Sequence, residues 1–497
     1  LILPRGGLTP PPFFLPAADL KIEKPPHRLT GPVKSVFSRT ALLIVIVAAS
    51  IPATSGESPK IPILSFSLSN GLRVVLSEDH SAPVVAVVVC YDVGSRNEVR
   101  GRTGFAHLFE HMMFQGSENV GKAEHFKYVE GNGGILNATT YQDHTIYYNL
   151  LPSNQLELAL WLESDRMRSL KITEENLKNQ KEAVKEEKRL NYDNQAYWPE
   201  LLKMDEMVFR NWANSHSPIG SMEDLDAATV ADVKAFFDLY YAPNNAVLAI
   251  AGDIDPAATR LLAEKYFGSL PRGKTPPPAD VAEPFGVAMQ KRAATDVLAD
   301  VPAVAIAWKI PERRTADFYP VVLLKSILCD GESARLYRKL VKETAVSLDL
   351  ETTLEERRGP GQLSIVTRHK SSVPSERVLS MIEGEIDRIK REGVSEDELA
   401  KARNQFRLSR FACPSAVECT SLQSALGRAM SLAAFTLFDA DPSLVNDEID
   451  RYLSVSSEHL RQAAIRYFDR SNTAVLVISP KDAESRTEKP AVKGGKS

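Results

Sequence analysis

Ala82-Pro-Val-Val-Ala-Val-Val-Val89 is a near-continuous apolar, β-branched run, and Val301-Pro-Ala-Val-Ala-Ile-Ala307 repeats it, with Pro302 standing 219 residues after Pro83. A strand that is apolar at nearly every position suits burial, so each run predicts a buried strand. Just upstream, Phe66-Ser-Leu-Ser-Asn-Gly-Leu-Arg-Val-Val-Leu76 places two alternating runs around Asn70-Gly71, a strong hairpin signal. The halves also end alike. Asn245-Ala-Val-Leu-Ala-Ile-Ala-Gly-Asp253 matches Asn472-Thr-Ala-Val-Leu-Val-Ile-Ser-Pro480 at an offset of about 228, each after an aromatic pair, Tyr240-Tyr241 and Tyr467-Phe468. One such match is within the reach of chance among buried strands; two in the same order argue for internal duplication.

Around these strands run long helical patterns, Gln155 to Arg168 and Thr173 to Tyr192 in the first half, without strict βαβ alternation. The fold class expected is α+β: two homologous domains, each a mostly antiparallel sheet packed with helices. Gly268-Ser-Leu-Pro-Arg-Gly-Lys-Thr-Pro-Pro-Pro-Ala279 reads as the linker between them. The expected division is a leader over 1–58, a first domain over 59–270, a Pro-rich linker over 271–285, a second domain over 286–482 and a disordered tail over 483–497.

Composition narrows the function classes. A chain of 497 residues, 43% hydrophobic and 25% charged, suits two or three soluble domains and excludes a collagenous, wholly disordered or polytopic membrane protein. Lys+Arg 60 against Asp+Glu 64 leaves no basic excess, so a nucleic-acid partner is not expected. The four cysteines, Cys90, Cys329, Cys413 and Cys419, show no CxxC spacing and are too few for a disulfide scaffold. Cys413 and Cys419 form a bond only if their backbone geometry allows it. Near the front, Lys34 and Arg39 precede the apolar run Ala41 to Ile51 and the small residues Pro52 to Gly56. That three-part layout predicts a secretory signal and an exported, periplasmic or secreted protein, the alternative being an uncleaved signal anchor.

The chemistry sits in Gly104-Phe-Ala-His-Leu-Phe-Glu-His-Met-Met-Phe114. On a helix His107 and His111 fall about 40° apart, with Glu110 about 60° from His107 on the same side. Two imidazoles one turn apart can hold a single metal ion, and a carboxylate beside them can take a proton from a water. Chance yields about 0.02 such His-x-x-Glu-His matches in a chain with this composition. The bland alternative is two core histidines beside a stray acid.

A zinc hydrolase needs a third protein ligand. The candidate helix begins at Thr173, an N-cap, with Glu174 and Glu175 in the dipole-favoured first turn. Setting Glu187 at 0°, Asn176, Gln180, Ala183, Val184 and Leu190 lie within about 60° of it, whereas Glu186 and Glu182 fall about 100° and 140° away among lysines. A carboxylate on the buried side is costly unless paired or metal-bound, which favours Glu187 over Glu186.

With these residues in place, the chain resembles the pitrilysin/insulinase-type zinc metallopeptidases, the inverzincins, over about Pro59 to Lys481. The resemblance implies His107, His111 and Glu187 as ligands of one zinc ion per chain, Glu110 as general base, and an endopeptidase acting on extended peptides. It also implies that Gly133-Gly-Ile-Leu-Asn-Ala-Thr-Thr140 is the edge strand beside the metal, where substrate adds as a further strand through Asn137, Ala138 and Thr140; an ordinary Gly-led strand is the alternative. Two departures stand out. Gln180 occupies a position where many relatives carry a glutamate, and the second half has Ser326, Cys329 and Asp330 opposite His107, Glu110 and His111, so only the first domain is expected to be catalytic. The family's substrate-holding Arg/Tyr pair aligns with Val341 and Leu348, rather than with Arg335, Tyr337 or Arg338. A second two-domain subunit is therefore expected to supply that pair. The competing reading is a non-catalytic assembly or scaffold subunit of the same fold. His125, His144 and His216 are expected to be solvated or hydrogen-bonded rather than ligands.

Overall fold

In the computed structural model, residues 60–412 and 421–481 are described. The leader, the Cys413–Cys419 pair and the tail lie outside them.

The two valine-rich runs become two central strands. The first sheet contains β1 (Leu64–Ser67), β2 (Arg73–Glu78), β3 (Val84–Tyr91), β4 (Ile135–Thr140), β5 (Thr145–Pro152) and β6 (Ala246–Gly252), in the order β1-β2-β6-β3-β5-β4. The second contains β7 (Lys291–Asp296), β8 (Ala303–Ile310), β9 (Glu351–Glu355), β10 (Gly361–Arg368) and β11 (Thr473–Pro480), in the order β7-β11-β8-β10-β9. Remove the hairpin strand β1 and the two orders are the same. Only β2–β6 and its counterpart β7–β11 are parallel; every other pair is antiparallel. The duplication extends to single bonds: Asn245 Nδ2 donates to the Tyr240 carbonyl at 2.9 Å and Asn472 Nδ2 to the Tyr467 carbonyl at 2.7 Å.

The hairpin forms around Asn70-Gly71. Gly71 has φ +94°, and a Cβ there would meet Arg272 Nη1 at 2.5 Å and Asn244 Cβ at 2.9 Å, so both conformation and space call for glycine. Asn70 Nδ2 reaches the carbonyls of Phe267 and Leu270 at 2.8 and 3.0 Å, fastening the turn to the chain that leaves the first half.

Both faces of β3 are buried because the halves cover one another. Val85, Val87, Val89 and Tyr91 pack on Phe105, Leu108, Phe109 and Met112. The opposite face, Ala86, Val88 and Cys90, packs on Leu426, Ala429, Leu432 and Ala433 of the Ala425–Asp439 helix, from the second half. In return Met204, Met207, Val208 and Phe209 of the first half pack on Ala303, Ala305 and Ala307 of β8. The β9–β10 connection adds polar ties. Arg358 donates from its backbone to Asp143 at 2.8 Å and from its guanidinium to Asp92 at 2.5 and 3.1 Å, while fully buried Arg357 reaches Asp205 at 3.0 Å. Among the described residues, no helix is long and apolar enough to cross a membrane.

Candidate metal centre

The His-x-x-Glu-His segment forms helix α1 (Phe105–Met112), seven of whose eight residues are buried. Gly104 starts it with φ +81°, where a Cβ would meet the Ile219 carbonyl at 2.9 Å. Glycine brings no capping side chain, so the cap comes from elsewhere: Glu98 accepts from the Gly104 and Ala106 backbone N–H groups at 3.0 and 2.8 Å.

Glu187 comes from the Glu174–Lys188 helix, which packs on α1. Thr173 caps it as expected, its hydroxyl accepting from Asn176 N at 3.1 Å. Glu187 Oε2 lies 3.2 Å from His111 Nε2 and 3.7 Å from His107 Nε2. The two imidazole planes are crossed at 89°, with centroids 4.9 Å apart. Glu186 points away, its side chain 56% exposed and paired with Arg189.

One element of the wheel is corrected. Leu190, expected on the buried side with Glu187, is 56% exposed. The chain leaves the α-helix after Lys188 and enters a π turn over Arg189–Asp193. A π turn advances fewer degrees per residue, so positions beyond Glu187 no longer follow the 100° wheel.

The donor set fits zinc. One atom from each of His107, His111 and Glu187 lies within 4.8 Å of the others, and two imidazoles with a carboxylate is a combination zinc accepts. Among the described residues, no other group of three histidines, cysteines or acids meets this condition. In the second half Ser326 bonds Gln405, Cys329 is buried in the core and Asp330 pairs with Lys325.

The site is electrostatically shaped. Burial, reinforced by the neighbouring His111, pulls the His107 imidazole down to about 4. Burial pushes the Glu110 carboxyl up to about 7, against the opposing pull of His111 and of Thr140. For Glu187 burial acts upward as well, but the hydrogen bond from His111 and the charges of both histidines outweigh it and its carboxyl sits low.

Within the segment Gly133–Thr140, Ile135–Thr140 forms edge strand β4, paired only with β5 among the described strands. Thr140 meets the centre directly, its hydroxyl donating to Glu110 Oε2 at 2.7 Å. Asn137 and Ala138 lie further along the edge, where the Ala138 N–H donates to Asn137 Oδ1 at 2.8 Å. Of the remaining histidines, His125 and His144 are buried away from the cluster rather than solvated, His144 stacked on Tyr141. His216 is hydrogen-bonded. Val341 packs on the second core and Leu348 is 51% exposed, while Arg335 is held by Glu398. Glu98 was not legible in the sequence, since a cap seven residues before its helix has no periodic signature.

Known protein families match both halves of the chain. The profile described as Insulinase (Peptidase family M16) matches residues 73–215, and Peptidase M16 inactive domain matches residues 227–406. The chain belongs to the insulinase-type peptidase family M16. It is 27% identical over 455 residues to the zinc protease PqqE of Helicobacter pylori, covering 90% of this chain and 99% of that protein. It is also 29% identical over 271 residues to the mitochondrial ubiquinol-cytochrome-c reductase complex core protein I of Euglena gracilis, covering 54% of this chain and 53% of that protein. Among solved structures, a protease from Helicobacter pylori superposes with a TM-score of 0.78 at 25% identity, covering 85% of this chain and all of that one. The periplasmic protease PqqL from Escherichia coli shares the fold, with a TM-score of 0.69 at 18% identity over 86% of this chain and 49% of that one.

Proposed function

We propose that this chain is a zinc endopeptidase cutting peptides bound in extended form, with His107, His111 and Glu187 holding one zinc ion and Glu110 as general base. The observation that carries this reading is the convergence of those three donors beside the buried Glu110 carboxylate, which accepts from Thr140 at 2.7 Å. Held by His107, His111 and Glu187, a zinc ion would supply Lewis acidity toward water and the scissile carbonyl. Glu110 accepts a proton from the attacking water and returns it to the departing amine. Thr140 holds the Glu110 carboxylate during both transfers. The open edge of β4 offers main-chain donors and acceptors along which substrate lies as an added strand, at Asn137, Ala138 and Thr140. That mode selects an extended backbone rather than a particular side chain.

The likeness to a respiratory core protein favours a second reading, a non-catalytic assembly subunit. The complete donor set and the base in this chain weigh against it. Val341 and Leu348 offer no side-chain donor for a substrate carbonyl, which supports a second two-domain subunit contributing an Arg/Tyr pair. The Ala41–Ile51 run supports export. Zinc stoichiometry and cleavage of a quenched peptide, with and without a sister subunit, test the proposal. A purified chain that takes no zinc, or takes it and cuts nothing in either setting, is the assembly subunit instead.

A further inference from the structure

His216 follows the short helix Trp212–Ser215, and its ring is nearly enclosed. Nδ1 lies 2.9 Å from the Trp212 carbonyl oxygen. Nε2 lies 2.9 Å from the Ser95 carbonyl oxygen and 3.1 Å from Glu98 Oε2. A carbonyl oxygen only accepts, so both ring nitrogens must carry protons to satisfy these contacts. The socket is built for an imidazolium. Trp212 stacks on the ring at 4.2 Å and 17°, an arrangement that also suits a cation.

The matching acid is Glu98, whose side chain is fully buried. Burial pushes its carboxyl above the ordinary value, and the bond and charge of His216 with the two backbone N–H groups oppose that, so these partners are what favour its anion. Its two oxygens accept from the Gly104 and Ala106 N–H groups at 3.0 and 2.8 Å, the unpaired donors at the start of α1. An anion is favoured there by the helix dipole. A continuous set of contacts thus runs from the imidazolium, through the carboxylate, to the first turn of the helix bearing His107, Glu110 and His111. Further charged groups lie near the pair. Asp205 interacts electrostatically with His216 and is itself bound by Arg357, which also donates to the Asn214 carbonyl at 2.8 Å, and Arg100 lies 5.2 Å from the Trp212 ring centre.

We propose that the His216–Glu98 pair is a proton-dependent clasp that positions α1, holding its first turn while the imidazole is charged and releasing it when the proton is lost. The proposal rests on the reading of α1 as the metal-bearing helix. Neither residue touches the reacting atoms; both are positioning residues. Loss of the proton turns one nitrogen lone pair toward a carbonyl oxygen and leaves Glu98 buried without its cation. Burial works against the charged ring, but the bond to Glu98 prevails and the His216 pKa lies above its ordinary 6.5. With a raised folded value, the clasp is complete below about pH 6.5 and is lost as pH rises through that folded value.

The test uses the full chain. Nitrogen-15 NMR of the histidine rings should show both His216 nitrogens protonated at pH 7. Zinc affinity by chelator competition, compared with His216→Gln between pH 6 and 9, should favour the wild type about tenfold at the acid end and converge toward equality at the alkaline end. Taking the ratio removes the ordinary deprotonation of the ligands, common to both proteins. Hydrogen exchange of the Phe105–Met112 amides, normalised for pH, should lose protection in the wild type over the same interval and be low throughout in the variant. A neutral His216 ring at pH 7 overturns the clasp. So does a ratio, or an exchange difference, that is constant across pH, which is what a purely structural role gives. If the wild type binds no zinc, the metal reading falls, and ring protonation with amide exchange still decides the clasp.

Discussion

The Thr140 hydroxyl donates to Glu110 Oε2 at 2.7 Å, tying the last residue of the edge strand to the carboxylate on α1. The strand that would receive a peptide and the group that would act on it are thereby one hydrogen bond apart. β4 is in turn registered on β5 from Ile135–Leu150 to Thr140–Thr145, so a substrate strand added to it inherits a fixed distance to Glu110. Loop-borne binding residues would give a looser relationship.

Glu110→Gln keeps the volume and can still accept the Thr140 bond, but it cannot take a proton. Zinc per chain should remain at one, while kcat falls by about 10²-fold or more. Metal analysis beside the peptide assay checks both halves of the statement, and undiminished turnover would remove Glu110 from its role.

Glu187→Gln should weaken zinc binding by about 10-fold or more, whereas Glu186→Gln should change neither zinc content nor turnover. Glu187 lies between the two imidazoles and Glu186 pairs with Arg189 in solvent. The reverse result in a chelator titration would invalidate the assignment of the ligand.

The Glu187 choice shows what periodicity can and cannot carry. Burying one carboxylate among small and apolar neighbours leaves a trace on a 100° wheel, so the turn of Glu187 toward the two histidines was legible. Leu190 was not, because the π turn beginning at Arg189 changes the winding without any marker in the composition. The continuous valines of β3 announced a buried strand. They did not announce that its second cover is the Ala425–Asp439 helix, a contact spanning more than three hundred residues with no local pattern. The His216–Glu98 pair was hidden for the same reason: its logic is two carbonyls and a carboxylate brought together by the fold, not a spacing in the chain.

If substrate adds to β4 through its main chain, peptides N-methylated at alternate residues facing the edge should lose about 10-fold or more in kcat/KM, while methylation of the intervening positions should be tolerated. Equal sensitivity at every position, or none anywhere, would argue against strand addition.

Leu432 is fully buried under the first sheet, although it belongs to the second half. Leu432→Ala should cost about 2–5 kcal/mol in urea unfolding. The loss should register in probes of the first half as well as the second. A change confined to second-half probes would contradict mutual covering.

Glu398 joins the start of the Glu396–Phe411 helix to Arg335. Its two carboxylate oxygens accept from Arg335 Nε and Nη2, both at 2.7 Å, and one of them also accepts from Ser395 N at 3.0 Å. The paired Arg335 bond is the chief reason its carboxyl is held down at about 2, below its ordinary 4.5, with burial opposing. A depressed folded value means that the pair contributes stability above about pH 4.5 and loses it as pH falls toward 2. Glu398→Gln retains an oxygen for Ser395 and removes the charge. It should therefore lower the unfolding free energy by about 1 kcal/mol at pH 7, a modest figure because the carboxylate is partly exposed. The deficit should shrink between pH 4.5 and 2.5 as the wild-type carboxylate gains its proton. Urea midpoints measured across that interval decide the matter, and a deficit that stays constant with pH would show that the glutamate acts through packing rather than charge.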